Sequence, residues 1–136
     1  MATIKTVYSG ELRTEAEHVA SGSRILTDAP VDNQGRGEAF SPTDLLCTAL
    51  GSCMLTIMGI SARNHGWDIR GTRMDIIKVM ASSPRKVAEV QITFQMEGGP
   101  FDEHARKILE KAAETCPVAL SLSPDLKQIL SFNWPD

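Results

Sequence analysis

The 136 residues hold no Cys-x-x-Cys pair, and the cysteines number three (Cys47, Cys53 and Cys116). An odd count in so short a chain argues against a secreted disulfide framework. Structural zinc requires four ligands at close spacing, whereas His18, His65 and His104 are scattered singly, so no metal is expected. A basic excess is missing too. Fourteen Lys and Arg face 17 Asp and Glu, for a formal charge of −3, which excludes the footprint of a general nucleic-acid binder. No apolar run reaches the roughly 18–20 residues expected of a membrane span. Met1-Ala2-Thr3-Ile4-Lys5 lacks the basic-then-apolar layout of a signal peptide. Repeats, low-complexity tracts and charge runs are all lacking. The expectation is a cytoplasmic protein with one domain over residues 1–136, long enough to bury a core without disulfides or metal.

What is present reads as alternating blocks. Thr3 to Val7, Glu11 to Glu17 and Arg24 to Thr27 are short strands, the first two joined at Ser9-Gly10. Residues 30–40, PVDNQGRGEAF, form a turn-rich loop. Ser41-Pro42-Thr43-Asp44 then announces a helix, with serine at the N-cap, proline at the first helical position and an S-x-x-D capping arrangement. Leu46, Leu50, Cys53, Ile57 and Ile60 recur at spacings of three and four, and Gly66 is the expected C-terminal cap. Because Leu45, Ala49, Ser52 and Thr56 are also apolar or small, this helix is expected to be buried on much of its circumference.

Trp67 to Met80 reads as a long strand, and Ser82-Ser83-Pro84-Arg85 turns the chain. Val90, Ile92, Phe94 and Met96 alternate with polar residues, the mark of a strand with one buried face. Gly98-Gly99-Pro100 breaks it, and Asp102 caps a helix reaching about Glu114 with Ala105, Ile108, Leu109 and Ala112 inward. Val118 to Leu122 is a short helix and Ile129 to Trp134 a closing strand. The order β-β-β-α-β-β-α-α-β indicates an α+β fold rather than a doubly wound one.

Each thiol has a bland reading as a small buried hydrophobe. Cys116 differs because it precedes Pro117 and so sits at a helix start, where free N–H groups favour the thiolate. Cys47 and Cys53 lie six residues apart, about 600° of helix rotation, and face different ways. Pairing Cys53 with Cys116 requires one helix to pack on another. Buried structural thiols and a redox pair both remain open on these grounds.

Ser41-Pro42-Thr43-Asp44-Leu45-Leu46 with Ala49-Leu50-Gly51-Ser52-Cys53, and later Thr115-Cys116-Pro117-Val118-Ala119-Leu120-Ser121-Leu122, resemble the signatures of the OsmC/Ohr family (osmotically inducible protein C and organic hydroperoxide resistance protein). Ser21-Gly22, Thr27-Asp28-Ala29-Pro30 and Phe132-Asn133-Trp134 extend the resemblance over the whole chain. It implies an intertwined α+β homodimer with antiparallel sheets around two central cysteine-bearing helices. It also implies a thiol-dependent peroxidase acting on organic hydroperoxides in oxidative-stress defence. Cys53 would be the peroxidatic thiolate and Cys116 the resolving thiol, and a thiol reductant such as a dihydrolipoyl group would restore the pair without any cofactor. The alternative is an OsmC-like thiol-relay or small-molecule-binding protein without peroxidase activity.

Family hydroperoxidases place an arginine–carboxylate pair beside the reactive sulfur, the carboxylate being a glutamate directly after the proline. Here Thr43 holds that position and Asp44 follows, already accounted for by the capping box; Glu38 is a second candidate. A buried thiol needs a cation to favour its charged form. Because the family's arginine comes from the N-terminal strands or loop, the resemblance implies Arg13 as the source, held by Asp44, with Arg36 second; Arg24 begins the third strand.

Overall fold

The computed structural model describes residues 1–135, which form two compact units, Met1–Leu46 and Cys47 onward. The first holds β1 (Ile4–Gly10), β2 (Arg13–His18) and β3 (Arg24–Asp28) in an antiparallel sheet of that order. The β2–β3 register sets Arg13 opposite Asp28 and Glu17 opposite Arg24. A single 3-10 turn at Val31–Asn33 punctuates the loop that follows.

The helix α1 (Pro42–His65) begins in the first unit and runs on through the second. Its start is the expected reciprocal cap. Ser41 Oγ accepts the Asp44 N–H at 3.0 Å, and the Asp44 carboxylate accepts the Ser41 N–H at 3.0 Å. Its end is a glycine cap: Gly66, at φ +76°, donates to the Arg63 carbonyl while Trp67 donates to that of Ala62. The buried face is not the one the spacing suggested. Cys47, Leu50, Gly51, Met54, Met58 and Ala62 are buried, whereas Ile60 is 50% exposed. A helix apolar on every side carries several overlapping periodicities, and the close approach of β4 selects among them. A side chain at Gly51 would meet Ile76 and Met74 within about 3 Å. Contrary to the expectation from run length, α1 is long and apolar enough to cross a membrane, with a mean hydropathy of 1.8 over 18 residues. Thr48, Ser52 and Thr56 interrupt its apolar runs but leave the average high, and Leu50, Met54 and Met58 on it are fully buried.

β4 (Arg73–Ser82), β5 (Arg85–Gln95) and β6 (Lys127–Asn133) form the second sheet. Trp67 to Thr72 is loop rather than strand, because Asp68 accepts the Arg70 N–H in a local turn and Gly71 takes a positive φ. Val90, Ile92, Phe94 and Met96 are buried, as their alternation predicts. A bulge in the β4–β5 register sets Val79 against Glu89 and Met80 against Val87, so Val87 also turns inward. β5 and β6 run parallel, a departure from wholly antiparallel sheets, since the connection between them carries α2 (Glu103–Glu114) and α3 (Pro117–Ser121). Asp102 caps α2 by accepting the Ala105 N–H at 2.8 Å. Trp134 donates to Glu110 and stacks near Phe132, which stacks in turn on Phe94.

Candidate active site

Cys53 lies three turns into α1 and is half-buried. Cys116 is fully buried and forms the N-cap of α3, where its extended backbone lets Sγ accept the Ala119 N–H at 3.4 Å. The two thiols are close enough to influence one another's ionisation, and all three cysteines are free.

The thiolate expected at Cys116 gives way to a neutral thiol. Burial pushes its pKa up and the Cys53 thiol adds to the rise, while the N–H groups of Ala119 and Val118 oppose it and lose. At Cys116 burial is the larger effect and the N-cap donors the smaller. The pair is therefore asymmetric, with one cysteine only partly buried beside one fully buried and protonated.

The first unit builds a charged cluster of its own. Asp28, at the end of β3, is completely buried, and Arg13 across the hairpin reaches it with both arms of its fork: Nε and Nη2 each donate to a different carboxylate oxygen at 2.7 Å. The Glu38 N–H donates to the same carboxylate at 3.1 Å, and the Glu38 side chain accepts from Arg13 Nη2 at 3.3 Å. Arg36 stands 4.0 Å from Glu38. The Arg13 hydrogen bond chiefly holds the Asp28 carboxyl below the usual carboxylate range, outweighing burial, with help from the Glu38 N–H and the charges of Arg13 and Arg36. Reciprocally, Asp28 raises the Arg13 pKa.

Arg13, Arg36 and Glu38 thus converge on a residue that sequence reasoning left as part of a turn. Asp44, expected to hold Arg13, instead has its carboxylate on the Ser41 N–H, because the capping box uses it where it stands. Arg24 pairs with Glu15 and Glu17 on the exposed sheet surface. The signal for Asp28 was the hairpin itself. A turn at Gly22 that pairs Glu17 with Arg24 pairs Arg13 with Asp28 four residues further out.

An α+β chain with two adjacent free thiols, one capping a short helix and the other midway along a long one, belongs to a class of small dithiol proteins. The model of the OsmC-like protein family matches residues 35–129, and the chain is a member of that family. A Psychrobacter arcticus structure, described as an osmotic-stress-induced and detoxification-response protein, is 53% identical, with a TM-score of 0.94 over 98% of this chain and 96% of that one. An OsmC-like protein from Mycoplasma pneumoniae shares 17% identity at a TM-score of 0.81, covering 98% of this chain and 96% of that one. A Legionella pneumophila organic hydroperoxide resistance protein shares 18% at 0.76, covering 98% of both. The last two show a common fold. Among curated proteins, none matches the chain.

Proposed function

We propose that the protein is a cytoplasmic thiol-dependent peroxidase that reduces organic hydroperoxides. The observation carrying this reading is the asymmetric Cys53–Cys116 pair: a cysteine that is only partly buried can meet substrate, and a fully buried neighbour can resolve it. The Cys53 thiolate attacks the terminal oxygen of the hydroperoxide, the O–O bond breaks, and the alkoxide takes a proton and leaves as alcohol. Cys53 is then a sulfenic acid. The Cys116 sulfur displaces its hydroxyl as water, giving an intramolecular disulfide and sparing Cys53 from over-oxidation. A dithiol reductant, such as a dihydrolipoyl group, returns the pair by exchange. By the family resemblance, Arg13, with Arg36 second and Asp44 as carboxylate, is the proposed source of the charge that favours the Cys53 thiolate.

The working form is a homodimer. Ile4, Val7 and Tyr8 on β1, Ile60 on α1 and Ile77 on β4 are large apolar side chains left more than half in water or close to it, more than a lone chain of this size readily carries. Light scattering should give about twice the 14.8 kDa chain mass.

Titration with cumene hydroperoxide tests the chemistry. Two thiols per chain should disappear with one equivalent, and mapping after denaturation should find Cys53 joined to Cys116 with Cys47 still alkylatable. Cys116→Ser should leave Cys53 as sulfenic or higher acids. A Cys47–Cys53 bond, or no loss of thiols, would overturn the assignment.

A further inference from the structure

We infer that Gln128 is a positioning residue for the resolving thiol: it anchors Ala119, and Ala119 in turn orients the Cys116 sulfur. This inference rests on the disulfide step of the proposed reaction and involves only residues of the second unit.

Gln128 is the exception on its strand. Residues 128, 130 and 132 of β6 share one face, and the other two are Leu130 and Phe132. That face is the inward one, since Gln128 lies opposite Val90, Leu130 opposite Ile92 and Phe132 opposite Phe94, and all three partners are buried. A primary amide in an apolar row costs free energy unless it is hydrogen-bonded. Here Nε2 donates to the Ala119 carbonyl at 3.2 Å. A carbonyl oxygen only accepts, so the amide has to present its nitrogen there.

The short helix α3 needs such an anchor, because five residues are too few to hold a helical turn by themselves. Within it Leu120 donates to the Cys116 carbonyl at 3.0 Å, and Leu122 donates to that of Ala119 at 3.4 Å. Ala119 is its one buried residue, whereas the neighbouring Leu120 is 71% exposed. Apolar packing therefore grips α3 by little more than a methyl group. The Ala119 N–H is also what holds Cys116 Sγ, and sulfur is a weak acceptor. The direction of the sulfur thus follows the position of Ala119, which Gln128 fixes from a strand of the sheet. In the closing step an S–S bond forms as the Cys53 S–O bond breaks, and the Cys116 proton leaves with the hydroxyl as water. Displacement at sulfur requires the attacking atom to be aimed along the breaking bond. Loss of aim at Cys116 slows this step and leaves the first encounter of Cys53 with peroxide untouched.

The experiment separates the two steps. Gln128→Met keeps the length of the side chain and removes the donor. Gln128→Glu keeps the shape and turns an acceptor toward the Ala119 carbonyl. Each variant is mixed with cumene hydroperoxide, sampled over time with a dimedone-type trap for sulfenic acid, and mapped by peptide mass. The Cys53 thiol should be lost at the wild-type rate. The Cys53–Cys116 disulfide should form about five-fold more slowly, the population shift that one neutral hydrogen bond supports, and sulfenic acid should accumulate in between. Amide hydrogen exchange should quicken at Ala119 and stay as in the wild type at Leu109.

Wild-type closure in both variants overturns the inference, and so does an equal slowing of the two steps, which marks general damage. An azodicarboxamide oxidant in excess keeps it distinct from the peroxidase reading. The Cys53 thiolate adds to the N=N bond, Cys116 displaces the nitrogen, and the oxidant leaves reduced to the hydrazine. If cumene hydroperoxide consumes no thiols, the peroxidase reading falls, and closure through the azo adduct decides the role of Gln128. If neither oxidant joins Cys53 to Cys116, both fall.

Discussion

A carboxylate with no access to solvent is tolerated at Asp28 because three donors from two residues surround it: two guanidinium N–H groups and one amide. Its lowered pKa makes it a source of pH-dependent stability. With the folded-state pKa below the unfolded one, the contribution is complete at neutral pH and is lost as pH falls below about 4. Urea midpoints followed from pH 6 to pH 3 (about the range in which carboxylates titrate) should fall steeply for the wild type and more gently for Asp28→Asn. Cys116 has the opposite sign. Its raised pKa costs nothing at neutral pH and penalises folding once the pH rises through the thiol range. The residues most legible in the sequence were those announced by a local pattern, such as Cys116 before proline and Ser41 three before Asp44. Asp28 was hidden because its partner is fifteen residues away and its own neighbours, Ala29 and Pro30, spell a turn.

Among the elements, α1 shows how local rules can be right about ends and wrong about faces. Both caps follow from side-chain and glycine chemistry at the termini and were readable. The buried stripe depends on which neighbour arrives, and the sequence of α1 does not contain β4. The same distinction explains β5, whose alternation was plain, and the loop at Trp67–Thr72, where apolar residues concealed an aspartate turn. Ser41 is buried and bonded through both its hydroxyl and its amide, so Ser41→Ala should cost about 1–2 kcal/mol. Chemical denaturation should report that loss as a lower midpoint with an unchanged slope.

For the molecule as a whole, strand and helix order were legible because each block carried its own period. The parallel pairing of β5 with β6 was not, because direction is set by the connection between strands rather than by either strand's composition. The division of the chain near Leu46 has a spectroscopic consequence. Both tryptophans, Trp67 and Trp134, fall in the second unit, and the only tyrosine, Tyr8, falls in the first. Indole emission therefore watches one half of the protein and phenol emission the other, with no label added. A substitution such as Asp28→Asn whose damage stays within its own sheet leaves the indole-detected melting curve where the wild type has it. Any displacement of that curve measures how far the damage has travelled along the chain.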